Sequence, residues 1–163
     1  MNYADIKYCD VANGEGVRVS LFVSGCTHHC KECFNKEAWD FHYGNPFTQK
    51  EIDRILEYLK PNYIAGFSLL GGEPMEPVNQ EGILPLLRVV KQTYPEKNIW
   101  CYTGYLFDKD VLDKMCKESE VTKEIVSYLD IVVDGEFMID RKNLKINFRG
   151  SDNQRIIDVK KTL

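Results

Sequence analysis

Short apolar runs recur along the chain: Val19 to Val23 (VSLFV), Ile64 to Leu70 (IAGFSLL), Ile99 to Tyr102 (IWCY) and Leu129 to Val133 (LDIVV), each followed closely by Gly, Thr or Asp. Short runs of this kind, mostly apolar rather than alternating, predict strands buried on both faces. Between them the period changes. From Thr48 to Lys60, Ile52, Ile55, Leu56 and Leu59 fall on one helical face, Thr48 and Glu51 form a capping box, and Pro61 ends the run. A second helix is predicted over Glu81 to Thr93, with Pro85 in its first turn, and a third over Lys109 to Lys117 with Asp108 as its cap. Thr122 to Tyr128 reads as a fourth. Met1 to Val17 and Asp140 to Leu163 show no clean period and contain turn pairs such as Asn13-Gly14 and Arg149-Gly150.

Alternating strand and helix imply βαβ units and a mostly parallel sheet with right-handed crossovers. A closed eight-stranded barrel typically takes about 250 residues, and this chain has 163. The expectation is therefore an α/β fold in one domain spanning residues 1–163, either a partial open barrel or a curved doubly wound sheet.

Composition narrows the function classes. With 44% hydrophobic and 28% charged residues the chain is ordinary for a globular protein. Its 21 basic and 25 acidic residues leave a net charge of −4, and the longest basic run is Lys160-Lys161, so no phosphate-tracking surface for nucleic acid is expected. No stretch approaches the roughly 18 apolar residues of a membrane span, and Met1 to Asp10 lacks the basic and apolar regions of a leader. A cytosolic location follows as an expectation, and in that reducing compartment six cysteines argue for metal or redox chemistry before disulfides.

Three of the six, Cys26, Cys30 and Cys33, lie in the loop after the first apolar run, at a strand end where α/β sheets bind ligands. At spacings of four and three, three thiolates can hold three corners of a cubane iron–sulfur cluster and leave one iron to a chelating substrate. Zinc is the competing reading, and it needs His28 or His29 as a fourth ligand from inside the same tight loop. Cys9, Cys101 and Cys116 are isolated and read as core or incidental. After the second apolar run comes Gly71-Gly72-Glu73-Pro74. Its glycines let a ligand approach the backbone, and Glu73 is an acceptor suited to an ammonium group; a plain tight turn is the alternative.

Together, CxxxCxxC followed by a GGEP turn at the next strand end resembles the radical S-adenosylmethionine superfamily. Asn13 to Arg18, Trp100 to Tyr105, Val133 to Phe137 and Phe148 to Arg155 further resemble the glycyl-radical-enzyme activases that serve anaerobic ribonucleoside-triphosphate reductases. The resemblance spans nearly the whole chain and implies a partial open (β/α) barrel of the radical S-adenosylmethionine type. It implies one 4Fe-4S cluster on Cys26, Cys30 and Cys33, with S-adenosylmethionine held by Gly71, Gly72, Glu73, Pro74, Thr103 and Asp134. Phe34 joins that set in place of the aromatic residue usual just before the third cysteine, where this chain has Glu32. The implied activity is reductive cleavage of S-adenosylmethionine and hydrogen abstraction from a glycine Cα of the reductase. Arg18 and Asp134 are the implied partner contacts, Arg149, Gln154 and Arg155 line an interface or the cofactor site, and the implied electron donor is flavodoxin-like. A radical enzyme acting on another glycyl radical enzyme or on a small molecule is the alternative, and a non-catalytic iron–sulfur or zinc module is a third reading.

Overall fold

A computed structural model describes residues 1–31, 33, 36–143 and 145–163. The elements are β1 (Asn2–Asp10), β2 (Val17–Val23), a 3-10 turn at Lys36–Trp39, β3 (Asn45–Pro46), α1 (Gln49–Leu59), β4 (Ile64–Gly71), α2 (Pro77–Thr93) and β5 (Asn98–Tyr102). A π-type helix (Phe107–Met115) runs into α3 (Cys116–Glu118), followed by α4 (Glu120–Tyr128), β6 (Ile131–Asp134), a 3-10 turn at Ile139–Arg141, β7 (Arg155–Asp158) and α5 (Val159–Thr162). Among the described residues no helix is long and apolar enough to cross a membrane.

The strands form one unclosed sheet in the order β3-β1-β2-β4-β5-β6-β7. The four central strands are parallel, and the pairings of β1 with β2, β1 with β3 and β6 with β7 are antiparallel. The sheet is thus mixed, where the sequence pattern predicts a mostly parallel one. The added strands explain the difference: β1 is largely exposed with polar residues throughout, β3 has two residues and β7 carries Arg155 and Asp158. None of them contains the apolar run that marks a doubly buried strand.

Alternate residues of the parallel strands face two different environments. Val19, Leu21, Phe67, Leu69, Ile99, Cys101 and Val132 pack with Ile55 and Leu59 of α1, Leu86 and Val90 of α2 and Ile125 of α4 in a single core. Each fully buried aliphatic side chain there contributes about 1.5–3 kcal/mol relative to exposure. The residues between them form rows across the opposite face. Phe22 pairs with Leu70, Leu69 with Cys101 and Tyr102 with Val133, so Phe22, Leu70, Tyr102 and Val133 stand side by side at the strand ends. That row is the floor of the site.

The helices match the pattern with local differences. Thr48 caps α1, with its backbone N–H donated to Glu51 Oε1 at 2.6 Å. Pro77 occupies the first turn of α2, so the helix starts earlier than Glu81 and Pro85 lies in its interior. The third helix is wound wide, with Val111 N bonded to Leu106 O at 3.1 Å, and Asp108 pairs with Arg155 instead of capping it. Ser119 caps α4 by accepting the Thr122 N–H.

Candidate iron–sulfur site

A cavity of about 440 Å³ lies beyond the carboxyl ends of the central strands, and Cys26, Cys30, Cys33, Gly71, Gly72, Glu73 and Thr103 all line it. The cysteine loop leaves β2 at Ser24 and is fastened at three points. Gly25 N donates to Ala38 O at 2.6 Å, Cys26 N to Trp39 O at 3.2 Å, and Thr27 Oγ1 to Glu76 Oε1 at 2.8 Å. Cys26 is buried and the other two are partly exposed. Burial pushes the Cys26 thiol up to about 12, and burial followed by the charge of Glu136 raises that of Cys30. Both thiols need the positive charge of bound metal to ionise at neutral pH. Phe34 lies outside the described residues.

The donor set suits a cluster better than a single ion. No three Cys, His, Asp or Glu side chains among the described residues converge as ligands of one metal ion, which is what zinc requires. None of the six cysteines is joined in a disulfide, and Cys26, Cys30 and Cys33 line the same cavity. A cubane takes one thiolate at each of three irons and needs no common point. The residues therefore fit a 4Fe-4S group held by these three cysteines.

The glycine turn faces the cysteines because it is bolted to their loop. Gly72 N donates to Val23 O at 2.8 Å and Glu73 N to Gly25 O at 2.7 Å. Gly71 has φ +114°, and a Cβ on Gly72 would lie 2.5 Å from Gly25 O, so neither position accepts a side chain. The Glu73 carboxylate is fully buried. It accepts hydrogen bonds from Thr103 Oγ1 at 2.8 Å, Gly104 N at 2.7 Å and Met75 N at 2.9 Å, and His28 Nε2 lies 2.7 Å from its Oε1. Glu73 is thus already served by four donors, which the expectation of an open acceptor did not anticipate. Pro74 is buried and does not line the cavity; it shapes the turn into α2.

His28, which the sequence offered only as a candidate zinc ligand, sits at the centre of the site. Its ring bridges Glu73 to Glu136, with Nδ1 3.4 Å from Glu136 Oε2, and its edge meets Tyr105 at 4.5 Å. Burial alone would depress its pKa, but the hydrogen bond and charge of Glu73, aided by Glu136 and Glu76, outweigh burial and raise it. Tyr105 Oη and Thr27 Oγ1 both donate to Glu76 Oε1 at 2.8 Å, a second tie between the cysteine loop and α2.

The two residues expected as partner contacts are both buried. Arg18 is fully buried, with Nε bonded to Ser68 Oγ at 2.8 Å, its other nitrogens to Glu15 O, Phe67 O and Asn98 O, and its guanidinium 5.4 Å from the Trp100 ring. Burial brings its pKa down to about 10. It ties the Asn13–Gly16 turn to the sheet and presents nothing to a partner or to the cavity. Asp134 is also fully buried, accepting from Phe107 N at 2.7 Å and from Arg155 Nε at 2.9 Å. It anchors the start of the π-type helix. The neighbouring stretches do reach the site, since Asn13, Gly135, Glu136 and Phe137 line the cavity together with Arg149 and Gln154. Arg155 does not line it.

This is the site of an iron–sulfur cluster protein, and residues 12–157 match the family model described as a 4Fe-4S single cluster domain. The chain is 42% identical over 158 residues to a protein of Enterobacteria phage T4, covering 96% of this chain and 93% of that one. It is 40% identical over 158 residues to one of Pasteurella multocida, covering 96% of each. With one of Escherichia coli K12 it shares 38% identity over 156 residues, 94% of this chain and 96% of the relative. Each is named anaerobic ribonucleoside-triphosphate reductase-activating protein. The chain belongs to the 4Fe-4S single cluster domain family and to the anaerobic ribonucleoside-triphosphate reductase-activating proteins.

Proposed function

We propose that this protein is a radical S-adenosylmethionine enzyme that installs a glycyl radical on an anaerobic ribonucleoside-triphosphate reductase. The observation that carries the reading is one cavity lined both by the three cysteines and by the Gly71–Glu73 turn. The partial open barrel of that superfamily is part of the reading, supported by an unclosed sheet with the cysteine loop after β2 and the glycine turn after β4. When bound, the cluster would supply one electron to S-adenosylmethionine, whose reductive cleavage would provide the chemistry that removes a hydrogen atom from the glycine Cα.

The chain's own residues bind and orient. Cys26, Cys30 and Cys33 would hold the cluster. Gly71 and Gly72 let the methionine end of S-adenosylmethionine lie against the backbone. Glu73 receives the ammonium group at Oε1, where it takes over the position of a donor now supplied by His28 or Gly104. Phe22, Leu70 and Val133 provide an apolar floor that excludes water from a radical. A flavodoxin-like protein is the proposed electron donor.

The test is electron paramagnetic resonance on an anaerobic mixture of reconstituted protein, S-adenosylmethionine, reductant and reductase. A glycyl signal with intact reductase that vanishes when its C-terminal loop glycine becomes alanine is expected. A signal that persists in the alanine variant, or none in either, refutes the proposal.

A further inference from the structure

A second cavity, of about 740 Å³, lies on the same face of the sheet, lined in part by Asn98, Trp100 and Ile131. Phe148 and Arg149 line both cavities, so the segment carrying them is the wall between the two. Three buried polar atoms around this wall have no hydrogen-bond partner: Asn98 Oδ1, Arg149 Nε and Tyr102 Oη. Native interiors rarely leave such atoms unserved, because each gives up its water for nothing.

Their placement is regular. Asn98, Trp100 and Tyr102 alternate along β5 and so share one face. Asn98 borders the second cavity and Tyr102 the cysteine cavity, about 13 Å apart at the usual strand rise. That is the length of roughly four extended residues. Halfway along, Phe148 sits on Trp100 with ring centroids 5.4 Å apart and holds φ +63°, a conformation that a bulky L-residue adopts at a cost. Phe148 fills the apolar part of the groove and offers nothing to the polar atoms beside it. The present cover is therefore a poor match to what it covers.

We propose that the inner face of β5, from Asn98 past Arg149 to Tyr102, is the track on which the reductase's glycine-bearing segment lies in extended form, displacing Phe148 from Trp100. This rests on the reading given under the proposed function. An extended backbone supplies what the track lacks: an N–H for Asn98 Oδ1, a C=O for Arg149 Nε, and either for Tyr102 Oη. The second cavity carries Lys160 and Lys161 beside Asp130 and Asp158, a mixed rim that suits a neutral polypeptide and not a polyphosphate. The track ends where the cysteine cavity begins, so a glycine at its leading end is delivered to the cysteine side with no side chain to obstruct it.

The experiment uses reconstituted holoprotein with varied concentrations of intact reductase, reading glycyl radical formation, alongside amide hydrogen exchange of residues 147–151 with and without reductase. Asn98→Ala removes the unserved acceptor and should raise the KM for reductase about three- to tenfold, with kcat within twofold. The KM for S-adenosylmethionine should not follow in that variant, and Asn98→Asp, which keeps the acceptor, should stay near wild type. Tyr102→Phe, which removes the other end of the track, should also raise the KM for reductase. Exchange in residues 147–151 should change when reductase is added. A reductase KM within twofold of wild type in both Asn98→Ala and Tyr102→Phe overturns the track, as does an equal rise in the KM for S-adenosylmethionine in Asn98→Ala. Absence of any glycyl radical with the wild-type pair overturns instead the activity on which the track rests.

Discussion

His28 and Glu73 stand 45 positions apart in sequence and meet at 2.7 Å, joining the cysteine loop directly to the glycine turn. Neither half of the site is held independently. The loop after β2 is anchored through Gly25 and Thr27 to the turn and to Glu76 of the α2 entry, and the turn's carboxylate is in turn oriented by the loop's imidazole. Displacement of either segment is felt by the other, so cluster loading and cofactor affinity should respond together to changes at this contact.

Replacing Cys26, Cys30 or Cys33 with alanine should abolish both bound iron and acid-labile sulfide after anaerobic reconstitution. Stoichiometric zinc in place of sulfide in the wild-type protein would refute the cluster assignment.

Glu73→Gln keeps shape and most of the local packing but removes the charge proposed to meet the ammonium group of S-adenosylmethionine. Affinity for S-adenosylmethionine should fall roughly ten- to a hundredfold, the worth of one charge-assisted hydrogen bond, in an equilibrium binding assay. Glu73→Ala should do more: it strands the donors of Thr103, Gly104, Met75 and His28 in a buried place. A loss of about 3–5 kcal/mol in folding stability is expected by denaturant titration, and loss of affinity without loss of stability would contradict the geometry.

Arg155→Ala leaves Asp134 fully buried without its cation while the Phe107 N–H remains. Because the guanidinium is itself half exposed, the expected cost is about 2–3 kcal/mol. Adding Asp134→Asn should recover part of it, and a double variant less stable than Arg155→Ala would refute the pairing.

Asp10 provides a pH signature. Burial pushes its carboxyl up, but hydrogen bonds from Ser20, Asn13 and the Ala12 N–H outweigh burial and hold it below the ordinary value. A depressed folded-state pKa adds stability that is fully present above the unfolded value of about 3.9 and is lost as pH falls through the folded value. Asp10→Asn should cost about 1–2 kcal/mol at pH 7 and flatten the stability profile below pH 4, measured by denaturation across pH. An unchanged acid slope would show that Asp10 does not contribute.

The parallel centre of the sheet was legible because its strands are apolar on the helix-facing side and half apolar on the other, so no alternation hides them. The antiparallel flanks were not, since β1 and β7 are held by pairing with a neighbour more than by buried side chains. In the site, the cysteines and glycines announce themselves because their chemistry is carried by residue type and spacing. His28 had no such mark, as only the turn 45 residues away gives it a task. The burial of Arg18 and Asp134 was hidden for the opposite reason. A charge in sequence reads as surface, while the carbonyls that enclose Arg18 and the arginine 21 residues beyond Asp134 are known only once the chain is folded.

The antiparallel pairing of β6 with β7 has a consequence for synthesis. A chain emerging from the ribosome can lay down β1 to β6 and their helices before residue 155 exists, since domains begin to fold as they are made. Until β7 arrives, Asp134 has no cation and nothing C-terminal holds Gln154, the residue just before the strand, whose Oε1 accepts the Gly150 N–H at 2.8 Å and whose Nε2 donates to Gly135 O at 2.9 Å. A product cut short before this strand would carry every cysteine and glycine of the site yet have no settled wall on its far side. Translation of the last strand is therefore the step that pins the far wall of the pocket in place.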